Sequence, residues 1–169
     1  LGCKTLWETD TNGQKVLSVK PVGPFAWDIP DKLMREMRSS IVFLGAIIAR
    51  CKKAKLSYPG GCELGPRPID LHLSSLRKLG VEITEHLAYL VCRVLNKLHA
   101  AEITLPFPSV GATENIMIAA VLAEGETVIR NAAREPEISD LAGFLNACGA
   151  KIRILSDGTI AICGVEKLH

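Results

Sequence analysis

Aromatic residues are scarce in this chain, 5% of 169 positions, and charge of one sign does not accumulate: 20 Lys and Arg stand against 18 Asp and Glu, for a formal charge of +2. Proteins that track nucleic acid need clustered cations for the phosphates and aromatic faces for the bases. Neither is present, and the weak, scattered charge equally argues against a membrane surface as partner. The longest uncharged apolar run, Ile41 to Ala49, is nine residues, far below the roughly 20 that a helix needs to cross a bilayer. It reads as the buried face of a helix. The six cysteines (Cys3, Cys51, Cys62, Cys92, Cys148, Cys163) include no Cys-x-x-Cys pair, and His72, His86, His99 and His169 do not cluster. Neither a disulfide framework nor a metal site is expected. No stretch reads as a secretory leader, so a reducing cytoplasm is the expected compartment.

What is present is apolar material for a core, 48% hydrophobic residues with 22% charged, enough for one ordinary domain. Leu33, Met37, Ile41, Leu44 and Ile48 recur at helical spacing after the turn chemistry of Asp28-Ile-Pro-Asp31, which predicts one long helix over about 31–50. A strand over 54–58, a Pro59-Gly-Gly61 break, a helix over 69–79 and strands near 81–84 and 89–94 follow. A second round runs as strand (103–107), helix (110–123), strand (126–131), helix (138–148) and two strands near 151–155 and 159–163. The order is β-α-β-α-β-β.

The strongest structural signal is internal repetition. Leu79-Gly-Val-Glu-Ile83 recurs as Cys148-Gly-Ala-Lys-Ile152, a helix end, a glycine stop and a strand start in each case. Gly45-Ala-Ile-Ile-Ala49 recurs as Ala119-Ala-Val-Leu-Ala123. A third trace, Leu1-Gly-Cys-Lys-Thr5, precedes an alternating strand at 15–20. The reading is an incomplete α/β (α+β) lobe of repeated βαβαββ units: 1–20 the end of a first unit whose earlier elements lie upstream, 21–100 a second, 101–169 a third. Such a piece is expected to expose apolar edges and to self-associate.

Chemistry concentrates in three places. Cys62 lies between Pro59-Gly-Gly61 and Glu63-Leu-Gly-Pro-Arg-Pro-Ile-Asp70, a loop that neither flanking element can continue. A thiol exposed there near Arg67 would have a lowered pKa and serve as acid or nucleophile, or be an ordinary surface thiol. Arg67-Pro-Ile-Asp70 stands at a helix start, where free backbone N–H groups and a guanidinium suit a phosphate or carboxylate, or where Asp70 merely caps the helix. Ser109-Val-Gly-Ala-Thr113 is a second small-residue turn opening a helix. Arg38 reads as a surface arginine. Cys3, Cys92, Cys148 and Cys163, among apolar neighbours, are expected to be small core hydrophobes.

Met37-Arg-Ser-Ser40, Pro59-Gly-Gly-Cys-Glu-Leu-Gly-Pro-Arg-Pro-Ile-Asp-Leu-His72, Ser109-Val-Gly-Ala-Thr-Glu-Asn115 and Asn131-Ala-Ala-Arg-Glu-Pro-Glu-Ile138, in this order, resemble the UDP-N-acetylglucosamine 1-carboxyvinyltransferase family of enolpyruvyl transferases. The resemblance runs from about Leu1 to Val165. It implies one lobe of a two-lobe inside-out α/β barrel, substrates phosphoenolpyruvate and UDP-N-acetylglucosamine between the lobes, and no cofactor or metal. By position, Cys62 resembles the family's loop cysteine, the general acid toward the enolpyruvyl methylene and the site of fosfomycin alkylation. Arg67 resembles the residue that meets the phosphate of phosphoenolpyruvate. Arg67, Pro68, Ile69, Asp70 and Leu71 resemble the stretch against the uridine nucleotide, Arg38 a nucleotide-sugar contact, and Ser109, Val110 and Gly111 a turn near the diphosphate. The family's Lys-Asn pair and its partner-lobe aspartate and arginine find no counterpart here, so the resemblance implies that these residues alone are inactive. The related shikimate-phosphate enzyme lacks the Pro-Gly-Gly-Cys loop. A nucleotide-sugar-binding or regulatory lobe without chemistry is the alternative from another class.

Overall fold

One helix, α4 (Val110–Ala120), carries a single charged residue and buries seven of its positions, Ala112, Thr113, Asn115, Ile116, Met117, Ala119 and Ala120. A helix apolar on every side must be surrounded, and the computed structural model, which describes residues 2–59 and 69–169, puts it at the centre. Helices α2 (Phe43–Cys51), α3 (Asp70–Lys78) and α5 (Pro136–Ala147) all pack against it. Small residues permit the closest approach. Gly45 of α2 sits on Asn115 of α4, and its backbone N–H donates to Asn115 Oδ1 at 2.6 Å.

Sheets flank these helices. Strands β3 (Lys53–Ser57), β4 (Glu82–Glu85) and β5 (Tyr89–Arg93) form one sheet in the order β3-β5-β4, with all neighbours antiparallel. Strands β6 (Glu102–Thr104), β7 (Glu126–Arg130), β8 (Lys151–Ile154) and β9 (Ile160–Cys163) form the other, ordered β6-β7-β9-β8, where only β6 and β7 run parallel. The first sheet carries a vestige of the same parallel edge. Asp28 bridges Lys55 in parallel, with Lys55 N–H donating to the Trp27 carbonyl (2.8 Å) and Ile29 N–H to the Lys55 carbonyl (2.9 Å). Pro30, which has no N–H to offer, ends that pairing. Lys53 over Trp27 (4.3 Å) and Arg50 over Phe25 (4.5 Å) fasten this segment to the helix and strand behind it.

The fold is the expected α/β class, with helices and strands in the expected order. Three details differ. The predicted helix over 31–50 is broken into α1 (Asp31–Glu36), a 3-10 turn (Arg38–Val42) and α2. Met37 is extended (φ −137°, ψ 132°), and the Ser40 hydroxyl donates to the Leu33 carbonyl at 3.0 Å. That bond offers the backbone a partner outside the helical ladder. The second difference lies in the cysteines. Only Cys92 is a core residue, its thiol pushed up to about 12 by burial; Cys148 is half-buried, and Cys3 and Cys163 are exposed. Cys3 opens β1, a strand exposed along its whole length, and Cys163 is the last residue of β9, beyond the buried Ile160, Ala161 and Ile162.

The third is the hairpin of β1 (Cys3–Thr9) and β2 (Lys15–Pro21): a strand start after Gly2 and a strand over 15–20 are expected, but both strands are exposed along almost their whole length. The Asp10 carboxylate accepts the Asn12 and Gln14 N–H groups in its turn, where Gly13 takes φ +80°. One face aligns Trp7 with Leu17 and Thr5 with Val19 in register, yet Trp7 is 67% exposed.

Gly143 sits on the outer face of α5 with open space where a Cβ would stand. Gly143→Ala should raise stability by about 1 kcal/mol, the helix-propensity difference, read as a rise in the denaturant midpoint. No change would mean that the unfolded chain already favours helix there.

Candidate functional site

The amino ends of two helices and the 3-10 turn between α1 and α2 meet around one opening. At α4, Ser109 is the cap: extended itself, it accepts the Ala112 N–H on Oγ (3.4 Å) and the Thr113 N–H on its carbonyl (2.9 Å). Thr113 Oγ1 donates back to that carbonyl (2.8 Å) and accepts the Ala133 N–H (3.1 Å), which ties the start of α4 to the loop after β7. The first N–H groups of such a helix are free to meet an anion. At α3, Asp70 opens the helix behind Ile69.

A cavity of about 890 Å³ lies here, and Arg38, Asp70, Leu71, Ser109 and Gly111 all line it, with Met37, Phe107 and Glu114 completing much of the wall. An adjoining cleft of about 410 Å³ shares Arg38 and Asp70 and adds Tyr58, Pro59, Ile69, Arg77 and Glu85. Five of the residues expected from sequence thus share one space. Ile69 lines the cleft beside it, and Val110 packs its side chain against the core instead. Cys62, Arg67 and Pro68 lie outside the described residues. Pro59 and Ile69, nearest to them on either side among the described residues, both stand at the cleft.

Electrostatics at this wall are uneven. Arg77 pairs with Glu85 at 2.7 Å, and the Tyr58 phenol is raised by burial and then by the negative Glu85. The Glu114 carboxyl is also raised, by burial first and by Glu137 second. The largest effect falls on a residue to which sequence reasoning assigned no role. His72, two positions into α3, is driven down to about 4, chiefly by burial, then by the positive Arg38, with Asp70 opposing. It is uncharged at neutral pH. The cavity therefore offers a guanidinium, two helix amino ends and a neutral imidazole, a set that suits a phosphorylated ligand. Among the described residues, no group of His, Cys, Asp and Glu converges as metal ligands would.

Comparison with known proteins gives this geometry a family. A family model described as EPSP synthase (3-phosphoshikimate 1-carboxyvinyltransferase) matches residues 1–169. Among curated proteins, the chain is 61% identical over 142 residues to UDP-N-acetylglucosamine 1-carboxyvinyltransferase 2 of Caldanaerobacter subterraneus subsp. tengcongensis, covering 84% of this chain and 34% of that protein. It is 46% identical over 169 residues to the UDP-N-acetylglucosamine 1-carboxyvinyltransferase of Nitratidesulfovibrio vulgaris, covering all of this chain and 39% of that one. The chain thus spans between a third and two fifths of the length of these relatives. Among solved structures, the enolpyruvyl transferase NikO from Streptomyces tendae superposes with a TM-score of 0.77 over 98% of this chain and 39% of its own, at 19% identity. EPSP synthase from Acinetobacter baumannii gives 0.68 over 97% and 37%, at 22% identity. The repeated β-α order read from the sequence, the helix-centred fold and the match along the whole chain agree, and the chain belongs to the EPSP synthase family.

Proposed function

We propose that the protein carrying these residues transfers the enolpyruvyl group of phosphoenolpyruvate to the 3-hydroxyl of UDP-N-acetylglucosamine, releasing phosphate, as the first committed step of peptidoglycan synthesis in the cytoplasm. The observation that carries this reading is the meeting of Arg38, Asp70, Leu71, Ser109 and Gly111, from three separate segments, on one cavity. The 46% and 61% identities to relatives that bear this enzyme's name supply the substrate class. On this reading residues 1–20 end one βαβαββ unit, while 21–100 and 101–169 form two more in the same lobe. The nucleotide sugar binds across this cavity and the adjoining cleft: the stretch Arg67, Pro68, Ile69, Asp70 and Leu71 takes the uridine nucleotide, the turn Ser109, Val110 and Gly111 lies near the diphosphate, Arg38 contacts the nucleotide sugar, and Arg67 meets the phosphate of phosphoenolpyruvate. Cys62 gives its proton to the enolpyruvyl methylene as the sugar oxygen, its hydroxyl proton passing to a base of the second lobe, adds to the neighbouring carbon. Loss of phosphate from that carbon and of a proton from the new methyl group restores the double bond. Acid catalysis needs every partner within hydrogen-bond reach, so turnover also needs the second lobe, and these residues alone are inactive.

The test is fosfomycin labelling of the protein followed by peptide mass analysis. One adduct at Cys62, formed faster with UDP-N-acetylglucosamine present and lost in Cys62→Ser, is the expected result. Cys62→Ala in the complete enzyme should slow turnover by about 100-fold or more, the usual worth of a general acid. Labelling elsewhere, or labelling indifferent to the nucleotide sugar, would leave a binding lobe without chemistry.

A further inference from the structure

Asn115 is wholly buried, and its amide can point only one way. The Gly45 backbone N–H can only donate, so it faces Oδ1 (2.6 Å), and the Ile41 carbonyl can only accept, so it faces Nδ2 (3.1 Å). Asn115 Nδ2 also lies 3.0 Å from His72 Nδ1, so its second hydrogen is donated to that nitrogen. That nitrogen must therefore present a lone pair, and the neutral ring carries its proton on Nε2. The opposite edge of the ring lies along Gly111, where a Cβ would stand 3.3 Å from Cε1 and 3.7 Å from Nε2. Both His72 and Gly111 line the cavity.

We infer that Asn115 is a positioning residue: through His72 it sets one uncharged N–H donor, Nε2–H, on the cavity wall beside the amino end of α4. The inference rests on reading this cavity as the nucleotide-sugar site. Arg38 from the 3-10 turn, Asp70 from α3, Glu114 from α4 and Glu36 at the end of α1 surround the same space, and of these Arg38 and Asp70 act on the ring in opposite senses. Asn115 removes the ambiguity. A proton on Nδ1 would face the Nδ2 hydrogen directly, so the imidazolium loses this bond while burial penalises its charge. A fixed neutral donor hydrogen-bonds a ligand oxygen equally at pH 5.5 and pH 8, whereas an ordinary histidine would change charge between them.

Asn115→Asp replaces the donor with an acceptor, which turns Nδ1 into the protonated nitrogen and favours the imidazolium. The experiment is a long-range nitrogen–proton correlation spectrum of the His72 ring, in the wild type and in N115D, from pH 5.5 to 8. The wild type should show protonated Nε2 and bare Nδ1 throughout. N115D should show protonated Nδ1 and a titration inside that range. Alongside it, UDP-N-acetylglucosamine affinity in the wild type should be flat over the range and in N115D should vary by about five-fold or more. A wild-type ring protonated on Nδ1, or titrating near 6.5, overturns the inference without any variant having to fold. A wild type with the stated tautomer but no affinity for the nucleotide sugar overturns the proposed function instead and leaves the Asn115–His72 link standing.

Discussion

Gly45→Ala should destabilise the chain by about 3 kcal/mol, although alanine is the better helix former. A Cβ at this position in α2 would fall 2.5 Å from the Asn115 backbone oxygen and press on the Asn115 side-chain oxygen. Neither atom is the far end of a flexible side chain, since Asn115 is held by Gly45, Ile41 and His72 together. Overpacking of a core typically costs about 1–3 kcal/mol, and weakening the bonds of a buried amide adds a further 1–3 or so. The gain in helix propensity, about 1 kcal/mol, does not offset these. Against a total stability on the order of 5–15 kcal/mol, a drop of this size is visible as a large fall in the urea midpoint. A midpoint within experimental error of the wild type would mean that α2 and α4 can slide apart freely and that Asn115 does not clamp them.

Acid should weaken the fold earlier than its carboxylates require. His72 takes up a proton near 6.5 when the chain is unfolded and only near 4 when it is folded. Between those values the unfolded state holds the extra proton, so stability is fully present above 6.5, falls as the pH drops, and levels off below about 4. From pH 7 to pH 5 the loss is about 2 kcal/mol. Glu114 works in the opposite sense, because a carboxyl raised in the folded state takes its proton there first. Asp31 and Asp157, lowered by Arg35 and by the Thr159 backbone respectively, act only at lower pH. Urea unfolding at pH 7, 6 and 5 reads the slope, and His72→Gln, less stable at neutral pH, should lose most of it. A wild-type curve with no slope in this interval would show that the imidazole is reached by solvent.

The alternation of helices and strands was legible because each element announces itself locally: apolar spacing within it, and a stop such as Gly80 or Gly149, both at φ near +90°, after it. The break at Met37 was not. Leu33, Met37, Ile41, Leu44 and Ile48 keep a helical beat across it, and what interrupts the helix is a Ser40 hydroxyl bonded to the Leu33 carbonyl, a choice the pattern does not encode. The cysteines are illegible for a related reason, since apolar neighbours along the chain do not say whether the element is covered, as Cys3 in the exposed β1 shows. Around the site, the helix starts at Asp70 and at Ser109-Val-Gly111 follow from motif chemistry, whereas Arg38 and Leu71 follow only from the family resemblance, and the cavity collects Arg38, Asp70, Leu71, Ser109 and Gly111. His72 was passed over because histidines were searched for as a cluster. Its partner is an asparagine, far along the chain, and only the folded core brings the two together.

The bonds of Asn115 span separations of 70 residues to Gly45, 74 to Ile41 and 43 to His72. Closing loops of that length costs entropy that no local turn returns. Helices α2 and α3 lead into strands β3 and β4 of one sheet and α4 into β7 of the other, so the polar clasp joins helices that serve both sheets. Without the clasp a buried amide, an imidazole and a glycine N–H would each lack a partner, a cost that falls on helices of both sheets at once. Loosening this clasp should therefore be felt on both sheets together and not on one alone.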